Sequence, residues 1–214
     1  MIIKNIFFDF DGVLAESVHV KTQAYHDLYI PYGQEIANKV VEHHRANGGM
    51  SRFEKFRIYH REFLDKEITD KMVDNLSKEY SKNVVNKVVN TDEVPGAEKF
   101  LKKYYRNYKF WIITGTPTAE IKEITERRGI DKYFIEQCGS PTKKWEWTEY
   151  LLDKYSLIKE ETLFLGDAMS DYKAAKESKL HFALRDYEEN HELFKNYDLV
   201  KFKDFFDLES KFEF

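Results

Sequence analysis

Ile2-Ile3-Lys4-Asn5-Ile6-Phe7-Phe8-Asp9-Phe10-Asp11-Gly12 begins as an apolar run, mostly β-branched or aromatic, and stops on two aspartates and a glycine. A short apolar run ended this way predicts a strand buried on both faces, as in a parallel sheet. The same grammar recurs downstream. Phe110-Trp111-Ile112-Ile113 stops at Thr114-Gly115, and Tyr133-Phe134-Ile135 leads to Cys138-Gly139. Thr162-Leu163-Phe164-Leu165 stops at Gly166-Asp167, and His181-Phe182-Ala183-Leu184 stops at Arg185-Asp186. Helical patterns lie between them over 97–106, 118–128, 144–155 and 170–178. Such alternation implies βαβ units and an open α/β sheet, whose ligands bind beyond the carboxyl ends of the strands.

One stretch departs from the alternation. Residues 17–28, 35–45, 51–64 and 68–89 carry apolar residues at spacings of three and four, punctuated by Pro31-Tyr32-Gly33, Asn47-Gly48-Gly49 and Asp65–Glu67. They predict an all-helical insert directly after the first strand. The expected division is therefore discontinuous, with 1–16 and 91–214 as the core and 17–90 as the insert. The aromatic, charged end over 202–214 is expected to form a short edge element packed on the core, with a partner-binding tail as the alternative.

Composition narrows the class without naming a chemistry. The chain has 214 residues, 42% hydrophobic and 34% charged, with a formal charge of −4. That balance gives no polycationic footprint for nucleic acid. No apolar run nears the roughly 18 residues of a membrane helix. Met1 leads straight into a strand pattern, so no signal peptide is expected. The lone Cys138 excludes an internal disulfide framework and fits a reducing compartment, the cytoplasm. Monomer and homodimer both remain open.

The strand ends carry the chemistry. Asp9 and Asp11, Thr114, Lys143 and Lys144, and Asp167 and Asp171 follow one another in chain order. Brought to one crevice, they would form a site for Mg²⁺ and a phosphate. Carboxylates supply the hard oxygen ligands Mg²⁺ prefers. Without a cation, the like charges would resist ionising together.

These segments together resemble the four motifs of the haloacid dehalogenase-like (HAD) superfamily. Asp9-Phe10-Asp11-Gly12-Val13-Leu14-Ala15-Glu16-Ser17 resembles the first and Ile112-Ile113-Thr114-Gly115 the second. Gly139-Ser140-Pro141-Thr142-Lys143-Lys144 looks like the third, and Leu163 through Asp171 like the fourth. The resemblance implies a Rossmann-like, three-layer parallel-sheet core and a Mg²⁺-dependent phosphatase that hydrolyses a small phosphorylated metabolite, a sugar phosphate being one candidate. It implies that Asp9 is the nucleophile, passing through an aspartyl phosphate, and that Asp11 is the general acid and base. Mg²⁺ would be held by the Asp9 side chain, the Asp11 backbone carbonyl and Asp167, with Asp171 orienting a metal-bound water or the lysine. Thr114 and the Gly115 amide would bind a phosphoryl oxygen, with Gly12 also at the substrate. The lysine would neutralise developing charge. The motif favours Lys144, with Lys143 as the alternative.

The helical insert resembles the family's C1 cap, a lid that excludes water. Gly49-Met50-Ser51-Arg52 resembles the specificity loop of the β-phosphoglucomutase and phosphoglycolate phosphatase subgroup. Arg52 is then a candidate for a substrate anion, since a guanidinium fork fits a phosphate or carboxylate. The alternative is a solvated Arg52 beside a Ser51–Glu54 capping box. Lys21 and Lys55 are further candidates. His43-His44 reads as helix surface, Trp145 and Trp147 as packing and rim, and Cys138 as a small buried residue. A phosphomutase and a non-catalytic binding protein are the competing functions. Thr116-Pro117-Thr118 looks more like the hydrolases than the mutases.

Overall fold

The computed structural model describes residues 2–214. Six parallel strands form one sheet: β1 (Asn5–Phe8), β2 (Lys109–Pro117), β3 (Glu136–Ser140), β4 (Thr162–Gly166), β5 (His181–Arg185) and β6 (Val200–Phe202). Their order is β3-β2-β1-β4-β5-β6, which puts β1 in the middle and the chain reversal between β1 and β4. Phe8 pairs with Ile112 on one side and Leu165 on the other, so Asp9 leaves the sheet at its centre.

Alternate β1 residues face opposite layers. Ile6 and Phe8 pack with Phe100 of α5 (Ala97–Tyr104), Ile121 of α6 (Thr118–Arg127) and Phe205 of α10 (Phe205–Lys211). Phe7 packs the other way, with Leu151 of α7 (Lys144–Lys154) and Ala174 of α8 (Met169–Glu177). The short α9 (Glu188–His191) follows β5. All four β1 residues are buried, which explains why the run is apolar without alternation. The three-layer α/β core is thus the one expected.

Between β1 and α5 the chain is helical: α1 (Val18–Tyr29), α2 (Gln34–Ala46), α3 (Arg52–Ile58) and α4 (Asp70–Val89). Their interior is aromatic, with Tyr25, Tyr29, Phe56, Tyr59 and Tyr80 buried. The chain enters and leaves this segment side by side. Glu16 N–H donates to the Asp92 carbonyl (3.0 Å) and Val94 N–H to the Leu14 carbonyl (3.1 Å).

Several boundaries differ from the sequence reading. The third strand lies at Glu136–Ser140, after a 3-10 turn over Asp131–Tyr133, not at 133–135. Its polar residues are partnered: Glu136 accepts from Lys154 and Tyr155, and Gln137 accepts from Thr125. β2 runs through Thr114 and Gly115 to Pro117 instead of stopping at them. The helix expected over 51–64 closes in a π turn over Tyr59–Phe63. Ser51 does cap α3, accepting from Phe53 N–H. The tail forms edge strand β6 and α10, both packed on the core.

Candidate active site

Asp9, Asp167 and Asp171 meet beyond the ends of β1 and β4, each offering a carboxylate oxygen within 4.8 Å of the others. All three are buried. Lys144, at the start of α7, reaches in between them. Its ammonium donates to Asp9 Oδ2 (2.6 Å) and Asp171 Oδ1 (2.5 Å). Phe10 N–H holds Asp9 Oδ1 (2.6 Å), and Ala168 N–H holds Asp171 Oδ2 (3.1 Å). Lys143 occupies the N-cap of α7 and is exposed.

The electrostatics ask for a cation. Burial, reinforced by Asp9 and Asp171, pushes the Asp167 carboxyl well above the usual range. Burial also lifts Asp171 to about 7 against the opposing pull of Lys144. Burial disfavours the Lys144 ammonium, but Asp171 and Asp9 outweigh it and keep the amine protonated. One ammonium among three buried carboxylates leaves negative charge uncompensated. Hard oxygen donors at this spacing fit a divalent cation.

Asp11 is built differently. Its carboxylate accepts from Ser17 Oγ (2.6 Å), Thr116 Oγ (2.9 Å) and the Lys21 ammonium. Burial raises its pKa, but the Lys21 charge and these hydrogen bonds more than offset that and hold it below the usual range. Gly12 turns the chain with φ of +77°. A Cβ there would lie 2.1 Å from Asp167 Oδ2, so only glycine lets the loop pass the carboxylate. Thr114 is buried, and its Oγ accepts from Thr116 N–H (3.2 Å).

These groups open onto a cavity of about 400 Å³ between the sheet ends and the helical segment. Asp9, Asp11, Thr114, Gly115 and Asp167 line its core side, and Lys21, His44, Arg52 and Lys55 its helical side. The loop before α3 rests on the core. Ser170 Oγ donates to the Gly48 carbonyl (3.2 Å), and a Cβ on Gly115 would lie 2.7 Å from the Gly49 carbonyl oxygen.

The profile of the haloacid dehalogenase-like hydrolases matches residues 3–179, which contain every residue of this cluster. The chain belongs to that family. As a HAD-like hydrolase it is an enzyme. It is 25% identical over 198 residues to a phosphoglycolate phosphatase of Pseudomonas fluorescens, covering 87% of this chain and 70% of the relative. It is also 25% identical over 182 residues to a phosphoglycolate phosphatase of Pasteurella multocida, covering 80% of each. Among solved structures, a hydrolase from Pseudomonas syringae superimposes with a TM-score of 0.78 at 22% identity, covering 97% of this chain and 96% of that one.

For this HAD-like hydrolase, the structure differs from the sequence reading in two places. Arg52 is neither solvated nor free: its guanidinium is buried and bidentate on Glu120 of α6 (2.7 and 2.8 Å), stacked 4.6 Å from the Tyr80 ring centre. With Glu120 on both its arms, it fastens α3 to the core. His44 is drawn into the cavity wall against the Tyr25 ring (4.6 Å), not out to solvent. Cys138 is buried and free, its thiol pushed up to about 12 chiefly by burial.

Other supports are absent from the motif pattern. Tyr187 Oη donates to Asp167 Oδ2 (2.6 Å). Arg185 donates to the Gly12 carbonyl (2.9 Å) and forks onto Glu16, so the end of β5 braces the loop after β1. The polar stop Arg185-Asp186 was the only sequence signal for this. No helix among the described residues is long and apolar enough to cross a membrane.

Proposed function

We propose that the protein is a Mg²⁺-dependent phosphatase that hydrolyses a small phosphorylated metabolite through an aspartyl phosphate on Asp9. The observation that carries this reading is the Lys144 ammonium bridging Asp171 and Asp9, whose carboxylate lines the cavity. Lys144 and Phe10 N–H hold the Asp9 carboxylate in one orientation, which suits a nucleophile that attacks phosphorus. Asp11 gives a proton to the leaving oxygen and then takes one from the attacking water. A phosphate dianion arriving beside Asp11 raises its pKa, favouring proton uptake at that moment. Thr114 and the Gly115 amide bind a phosphoryl oxygen, with the loop at Gly12 beside them. Asp9 and Asp167, with the Asp11 carbonyl, would hold Mg²⁺, and Asp171 would orient Lys144. The ion would supply charge neutralisation for the carboxylates and the phosphoryl oxygens.

We also read residues 17–90 as a C1-type cap over the core of 1–16 and 91–214. The Arg52–Glu120 pair and the seat of Gly49 on Gly115 support a closed arrangement. Named phosphoglycolate phosphatases among the relatives favour hydrolysis over phosphomutase chemistry.

A released-phosphate assay across a panel of phosphorylated acids, sugars and alcohols tests the reading. Phosphate release is expected with Mg²⁺, with loss on chelation and recovery on adding Mg²⁺ back. Release that is indifferent to chelation would sink the metal assignment. Interconversion of hexose phosphates without phosphate loss would turn the reading to a mutase.

A further inference from the structure

Lys55 is a buried cation that the mechanism above does not use. It lies on α3 in the cavity wall and is 1% exposed. Its ammonium is 2.8 Å from His44 Nδ1, 3.5 Å from the His44 carbonyl oxygen and 5.5 Å from the Tyr25 ring centre. An ammonium only donates, so His44 Nδ1 accepts and the imidazole is neutral, with its hydrogen on Nε2. Burial, with Lys55 and Lys21 adding to it, holds His44 well below the usual histidine range, in agreement with a neutral ring.

The other buried and half-buried cations at the site have carboxylate partners, and Arg45, which also lines the cavity, is exposed to solvent. Lys21 has Asp11, Arg52 has Glu120, and Lys144 has Asp9 and Asp171. Among the described residues, no carboxylate pairs with Lys55. A buried charge without a counter-ion is costly, and it commonly loses its proton instead. Burial, then the charges of Lys21 and Lys144, bring Lys55 down to about 7. A neutral hydroxyl on a ligand would not relieve this, whereas an anion would.

We propose that Lys55, backed by His44, receives a second anionic group on the substrate, a carboxylate or a phosphate carried by the leaving alcohol. This rests on the phosphatase reading, in which the transferred phosphoryl group is engaged at Asp9. The substrate class is then a phosphate monoester whose alcohol bears its own negative charge. Lys55 discriminates by charge: an ester with a neutral alcohol leaves the buried ammonium without a partner. The rest of the cavity, about 400 Å³ in all, suits a small molecule.

The test compares three esters of similar size: 2-phosphoglycolate, ethane-1,2-diol bisphosphate and 2-hydroxyethyl phosphate. Affinities are measured calorimetrically with Mg²⁺ in the Asp9→Asn protein, where turnover does not interfere. At least one of the two anionic esters is expected to bind about 30-fold more tightly than the neutral one, the scale of losing one partner of a buried charge pair. Whichever does so identifies the second anion as carboxylate or phosphate. Adding Lys55→Met is expected to bring that ratio to about threefold or less, while Lys55→Arg keeps most of it. A ratio near one with Lys55 present overturns the proposal, as does failure of all three esters to bind. A ratio that survives Lys55→Met overturns it too, since Lys55 would then serve the phosphoryl group common to all three or only the fold. A preserved ratio without phosphate release from any ester by the wild-type protein would instead sink the phosphatase reading alone.

Discussion

Replacing Asp9 by asparagine is expected to lower phosphate release by on the order of 10⁴–10⁶-fold, the usual cost of removing a nucleophile. The amide keeps the size of the side chain and the oxygen that accepts from Phe10 N–H, so the loop after β1 is expected to hold its shape. What disappears is the anion that attacks phosphorus. The variant also removes one of three buried carboxylates that crowd one another. The rise in Tm produced by Mg²⁺ is therefore expected to shrink, while the protein stays folded. Turnover and Tm, each with and without Mg²⁺, check both halves. Turnover close to wild type would rule out the covalent route through Asp9.

Lys144→Met is expected to cost both catalysis and stability. Removing one fixed donor of charge stabilisation typically lowers kcat by roughly 10²–10³-fold. Asp9 and Asp171 would also lose the ammonium that now donates to each. Breaking a buried pair by deleting one partner costs about 3–5 kcal/mol, because it leaves the other charge uncompensated. The loss is expected in full in chelator and in smaller measure with Mg²⁺, which supplies positive charge to the same cluster. Denaturant unfolding under the two conditions reads the difference. Lys143→Met, at an exposed N-cap, is expected to match wild type in both measurements. Equal losses at the two lysines would remove Lys144 from its assigned role.

The sheet was legible because β1 and β4 are buried on both faces and written in apolar residues. β3 was placed too early because its buried strand carries Glu136 and Gln137, whose partners lie on other elements. The groups at the strand ends were legible because each sits where an apolar run stops, and the fold carries Asp9, Asp11, Thr114, Lys144, Asp167 and Asp171 to one crevice. Lys144 separates from Lys143 through the start of α7, which leaves Lys143 as the cap and turns Lys144 inward. The pairs Arg52–Glu120, Lys21–Asp11 and Lys55–His44 left no local trace, and the Arg185–Glu16 pair left only the polar stop at the end of β5. Their partners come from different elements, and a charged residue reads alike in sequence whether it meets solvent or a buried counter-ion.

Gly115 and Gly49 meet backbone to backbone, with no side chain between core and helical segment. Gly115 is outside the left-handed region, so alanine is permitted there by its own backbone. The single added methyl would act as a doorstop. It would hold the two halves ajar by the thickness of a carbon atom while Asp9, Asp167, Asp171 and Lys144, and the Gly115 amide itself, stayed in place. The fall in kcat of a Gly115→Ala protein would therefore measure what a dry, closed chamber with its helical wall in place contributes to the reaction, apart from the carboxylates and lysine of the core.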